Sequence, residues 1–157
     1  MAFCLLFYMS LFISTYKNKV DKKLRVSVPA QFRSAISDSA FQGIIAYRSI
    51  INDCIEGCSL ERLENLTALI DNLDPFSSEK DAFATSVLGG SYQLQFDPEG
   101  RVLLPQDLVC DLQIEETAVF IGKGHTFEIW NEAKFEEHIV KSRQIAFENR
   151  DKLRNNR

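Results

Sequence analysis

Several signatures of common function are missing from these 157 residues. No apolar run reaches the ~18–20 residues that cross a bilayer, so no membrane contact is expected. There is no Gly-rich phosphate loop, no GxGxxG, no HExxH and no GxSxG, and no nucleophile–base constellation can be named. Histidine is scarce: His125 and His138 stand isolated, and the acid pairs Glu115-Glu116 and Glu136-Glu137 read as solvated faces. The expectation is a protein that is not an enzyme, with no catalytic residue and no cofactor. The four cysteines, Cys4, Cys54, Cys58 and Cys110, contain no CxxC and no second pair to complete a zinc site. They read as reduced thiols of a cytoplasmic protein, with no metal. A basic surplus is missing too. The net charge is −4, which excludes a uniformly basic nucleic-acid binder. What remains, 45% apolar and 25% charged residues, is the composition of a folded domain.

The charge is unevenly spread. Residues 1–13 carry none and are almost wholly apolar. Without Lys or Arg they lack the basic start of a signal peptide. Residues 1–11 are therefore read as an apolar N-terminal extension, with Met9 as the expected true start and residues 1–8 as dispensable. Residues 14–33 hold Lys17, Lys19, Lys22, Lys23, Arg25 and Arg33 against one acid, Asp21. The body that follows is acidic until about residue 140. Local positive charge on an acidic body is what attracts a polyanion.

The chain also repeats itself. Asp21-Lys-Lys-Leu-Arg25 followed by Val26-Ser-Val-Pro29 lies 76 residues before Asp97-Pro-Glu-Gly-Arg101 followed by Val102-Leu-Leu-Pro105. Upstream of each, Tyr16, Asn18 and Val20 alternate with Lys17 and Lys19, as Tyr92, Leu94 and Phe96 alternate with Gln93 and Gln95; both are period-2 strands. Downstream, Gly43–Ala46 matches Val119–Gly122, and Ser59 and Asn131 each stand where a helix N-cap is expected. Each copy reads strand, turn, strand, short helix, strand, strand, helix. Gly122-Lys-Gly-His125 reads as a hairpin turn. Four short strands cannot close a core alone, so the fold class expected is α+β, mainly β, with two copies interlocking their hairpins in one pseudo-two-fold barrel flanked by helices. In the second turn Gly100 supplies a positive φ, and Asp97 can bind turn amides and pair with Arg101. Asp21, Asp97, Gly100 and Arg101 are accordingly structural turn residues. Leu24 stands where glycine is expected, which makes the first turn either strained or differently shaped. Because Lys17, Lys19, Lys22, Lys23 and Arg25 crowd one hairpin and Arg33 follows it, these six are the candidate DNA-binding residues.

These residues resemble the MraZ family of bacterial regulators, built of two SpoVT/AbrB-like repeats, each marked by a DxxGR turn and an apolar-x-apolar-Pro strand. The similarity covers roughly residues 12–145 and includes Pro29-Ala-Gln-Phe-Arg33 and Phe127-Glu-Ile-Trp130. It implies a tandem swapped-hairpin fold, with repeat 1 over 12–62, a helical connector over 63–90, repeat 2 over 91–134 and a C-terminal helix and tail over 135–157. It also implies a cytoplasmic, nucleoid-associated transcription factor that binds double-stranded DNA at promoter direct repeats of the cell-division and cell-wall gene cluster. The resemblance further implies assembly with itself as a ring-shaped homo-oligomer, for which an octamer is one size. The apolar stock of Phe12, Ile13 and the face from Leu60 to Leu73 points the same way, since one small barrel cannot cover it. The rival reading is an antitoxin-like module of the AbrB superfamily that grips a partner protein.

Overall fold

In a computed structural model, which describes residues 11–154, the described residues form eight strands and five α-helices. The first half runs β1 (Thr15–Lys19), β2 (Arg25–Ser27), α1 (Ala30–Ala35), β3 (Gly43–Arg48), β4 (Ile55–Cys58) and α2 (Leu60–Asp71). A connector follows: α3 (Ser78–Phe83), continued by one π turn over Ala84–Leu88. The second half repeats the order as β5 (Tyr92–Gln95), β6 (Arg101–Leu103), α4 (Gln106–Asp111), β7 (Thr117–Gly122), β8 (Phe127–Asn131) and α5 (Glu132–Glu148). The proposed start at Met9 and the extension before residue 11 lie outside the described residues.

The local signals act as polar chemistry requires. Ser59 Oγ accepts the Arg62 amide at 3.2 Å and Asn131 Oδ1 accepts the Lys134 amide at 3.0 Å, which satisfies one orphan donor at each helix start. Pro29 and Pro105 occupy the N-cap positions of α1 and α4.

The long-range pairing mixes the halves. The six-stranded sheet runs β1-β7-β8-β4-β3-β5, so β1 of the first half pairs with β7, and β5 of the second pairs with β3. β2 and β6 form a separate two-stranded ribbon, with Arg25 opposite Leu103, Val26 opposite Val102 and Ser27 opposite Arg101. Among the described residues hydrogen bonding therefore makes no closed barrel; this corrects the sequence expectation. After each Asp the turn doubles the chain back within four residues, and Asp21 N donates to Arg25 O at 3.0 Å as Asp97 N does to Arg101 O at 2.9 Å. That reversal lifts β2 and β6 off the sheet. They close the space by packing, not by a ladder.

Both faces of the four central strands β7, β8, β4 and β3 are buried, as near-continuous burial along them shows, whereas the edge strands β1 and β5 keep exposed residues. Between sheet and ribbon lie Val26, Val28, Phe32, Ile44, Val102, Leu104, Phe120, Phe127 and Ile129. The centre is aromatic: Phe32 lies 5.3 Å from Phe12 and 5.1 Å from Phe127, ring to ring. On the outer face α2 and the π turn cover Ile45, Tyr47 and Cys58, while α5 covers Val119 and Trp130. Two sequence expectations change here. Phe12 is in the core, 2% exposed, because its backbone pairs with Gly124 and draws the ring inward. Of the α2 face, Leu60, Leu63 and Leu66 pack against the outer cluster and Ile70 is buried, which leaves Leu69 and Leu73 in solvent.

Candidate nucleic-acid interface

The two Asp–Arg turns are built alike. Asp21 Oδ1 accepts the Lys23 and Arg25 amides, each at 2.9 Å, and its Oδ2 meets Arg25 Nε at 2.7 Å. Asp97 Oδ1 accepts the Glu99 and Arg101 amides, each at 2.9 Å, and its Oδ2 meets Arg101 Nε at 2.8 Å. The Arg25 amide, as the largest influence, holds the Asp21 carboxyl below the usual carboxylate range, and the Arg101 amide does the same for Asp97. Each turn also receives a bond from the opposite half: Leu104 N donates to Leu24 O at 2.9 Å and Val28 N to Gly100 O at 3.1 Å. Leu24 has φ +64 and Gly100 φ +76. The first turn thus keeps the glycine shape and carries the strain of a non-glycine residue there. The Leu24 side chain packs against the central core, which offsets part of that cost.

The settings of the turns differ. Lys22 and Lys23 stand exposed in the first. In the second, Glu99 adds another acid 3.6 Å from Arg101 Nη1. Arg25 Nε is committed to Asp21, so the outer Nη edge is what it presents. Such a carboxylate fixes the plane of a guanidinium, which suits bidentate recognition.

The six candidate cations do not form one cluster. Lys22, Lys23 and Arg25 gather at the first turn. Arg33 lies on α1, with Nε on Val28 O at 3.2 Å and its guanidinium packed over Gly100, beside the second turn. Lys17 and Lys19 extend from the outer side of β1. Lys17 Nζ is held by Glu132 Oε1 at 3.1 Å and Glu136 Oε1 at 3.2 Å, both on α5. Among the described residues Lys19, Lys22 and Lys23 make no ion pair. Asn18, a polar residue at an inward position of β1, donates from Nδ2 to Ser27 O at 2.7 Å and ties β1 to the ribbon.

Buried polar groups elsewhere are occupied structurally. Glu128, 3% exposed, accepts from Asn52 Nδ2 at 2.9 Å and Trp130 Nε1 at 3.1 Å and pairs with Lys123 at 3.4 Å. Burial pushes its carboxyl up, and these partners outweigh burial and leave it below the ordinary range. Burial pushes the Cys58 thiol up to about 12 and raises Cys54 as well, so neither offers a thiolate. His138 stacks on Trp130, ring centroids 4.4 Å apart. No group of three or more His, Cys, Asp or Glu among the described residues is placed to hold a metal ion, and no helix among them is long and apolar enough to cross a membrane. Sequence reasoning missed Glu128 and the acids that hold Lys17; cross-half pairing brings Asn52 to Glu128 and Lys17 to Glu132 and Glu136.

Known proteins share most of this chain. The family model described as "MraZ protein, putative antitoxin-like" matches residues 87–157. The transcriptional regulator MraZ of Rickettsia akari (strain Hartford) is 50% identical over 147 residues, 94% of this chain and 99% of that protein. The proteins of the same name from Rickettsia canadensis (strain McKiel) and Rickettsia felis (strain ATCC VR-1525 / URRWXCal2) are 50% and 51% identical over the same shares.

Proposed function

The chain belongs to the MraZ family, and from that premise we propose that it is a cytoplasmic, nucleoid-associated transcriptional regulator that binds duplex DNA through the first-half turn. The observation that carries this reading is the unequal charge around two turns of equal geometry. Arg25 is presented by Asp21 in a turn that carries Lys22 and Lys23, whereas Arg101 is paired with Glu99 as well as Asp97. The Nη edge of Arg25 suits guanine O6 and N7, and the exposed lysines suit phosphate. Arg33, at the far end of the ribbon, would add a second phosphate contact. The operator fits direct repeats upstream of the cell-division and cell-wall gene cluster, as the family resemblance implies. The same resemblance divides the chain into two SpoVT/AbrB-like repeats over 12–62 and 91–134, and the cross-half pairing of β1, β5 and the ribbon supports a tandem swapped-hairpin arrangement.

A ring-shaped homo-oligomer would place several such turns along successive repeats, where each binding event raises the local concentration for the next. In support, Ile50, Ile51, Leu69, Leu73 and Phe83 stay exposed and line one groove of about 340 Å³ beside α2. That groove is also the observation that would favour an antitoxin-like protein contact. A gel shift with the chain's own upstream region, run at two salt concentrations, separates the two. Salt-sensitive retardation that depends on Arg25 supports the DNA reading, and its absence rejects it.

A further inference from the structure

Lys17 is the one candidate phosphate ligand whose charge is already taken. α5 begins at the Asn131 cap, and Asn131 Nδ2 also donates to Gln113 O, which fixes where the helix starts. Glu132 and Glu136 are four apart and share a helix face. That face meets β1, and both carboxylates converge on one ammonium at 3.1 and 3.2 Å. The helix's own first-turn cation cannot neutralise them, because Lys134 Nζ is on Asp53 Oδ2 at 2.6 Å. The corner related by the pseudo-two-fold has no such pair: Gln93 replaces Lys17, and Leu60 and Glu64 replace Glu132 and Glu136.

We propose that Glu132 and Glu136 act as an intramolecular competitor of DNA phosphate, holding Lys17 at 3.1 and 3.2 Å until a duplex displaces them. The inference rests on the DNA-binding reading above. Each phosphate that reaches Lys17 must break two carboxylate contacts and leave both acids to water. The cost falls on every DNA sequence alike, because a phosphate contact carries no base information. It keeps the binding of a single subunit weak. In a ring the same cost recurs at each subunit, so that stable binding requires several subunits to engage together.

The test compares four full-length proteins: wild type, Glu132→Gln with Glu136→Gln, Lys17→Ala, and the triple variant. Each is titrated with a random-sequence duplex and with the upstream region at low salt. All three positions are half-exposed, and melting curves check that the variants fold. The paired Gln variant should bind both duplexes about three- to fivefold more tightly, the range of one exposed ion pair. The gain should disappear in the Lys17→Ala background. An equal gain without Lys17 would show that the acids act only through the general field and would overturn the proposal, as would no gain at all. If wild type binds DNA and no Lys17-dependent gain is seen, this inference alone fails. If no variant binds any duplex, the DNA-binding reading fails with it.

Discussion

At Asp21 the turn passes through Lys22, Lys23 and Leu24, and at Asp97 through Pro98, Glu99 and Gly100. The three residues share nothing, yet both carboxylates accept the same two amides and clamp the following arginine through Nε. Backbone geometry is thus set by the Asp–Arg pair and the bond from the opposite half, and the intervening residues are left open to vary. That freedom separates the turns in charge. The first turn's own residues add two lysines, whereas the second's add an acid and leave Arg33 of α1 as the cation packed beside it.

The comparison can be broken first in the core. Phe32 of α1 corresponds to Leu108 of α4, but Phe32 is fully buried among four aromatic rings, whereas Leu108 is 7% exposed. Phe32→Ala should cost about 3–5 kcal/mol in urea unfolding, and Leu108→Ala about 2–3 kcal/mol. A reversed order would show that the second half, not the first, anchors the core.

The turns themselves come next. Gly100→Ala places a Cβ at φ +76 against the Arg33 guanidinium and should cost about 1–2 kcal/mol. Leu24→Gly relieves a positive φ and gives up a partly buried side chain, so it should stay within about 1 kcal/mol of wild type. Equal losses at both positions would contradict the offset between strain and packing.

The smallest effect is in acid. The folded carboxyls of Asp21 and Asp97 lie below their unfolded values. Their stabilisation is therefore complete above the ordinary carboxylate range and is lost as pH falls through the depressed values. Melting curves between about pH 6 and about pH 2 should fall less steeply for Asp97→Asn than for wild type, and likewise for Asp21→Asn. Parallel curves would remove the clamp from the account.

What could be read without coordinates follows the same division. The repeat, the Asp97–Arg101 pair, the helix caps at Ser59 and Asn131 and the alternation of β1 and β5 are local, and their chemistry lies within a few residues. Leu24 could be flagged as anomalous, although whether it kept the glycine shape depended on Leu104 of the other half. The burial of Phe12, the seat of Arg33 on Gly100 and the acids around Lys17 all arise from contacts across the halves, between residues 67 to 119 positions apart. No window along the chain holds both partners. The five basic residues of the hairpin and Arg33 after it read as one candidate set, because sequence adjacency cannot show that Arg33 reaches the far end of the ribbon, nor that Lys17 turns to α5.

The most direct measurement is the affinity of Arg25→Ala and Arg101→Ala for the upstream duplex, side by side with their melting temperatures. Arg25→Ala should lose roughly 1–3 kcal/mol of specific binding. Arg101→Ala should bind nearly as wild type and melt several degrees lower, because its partners are Asp97 and Glu99 in its own turn. Loss of binding in Arg101→Ala with Arg25→Ala unaffected would place the contact on the acidic turn and contradict the assignment of DNA to the first half.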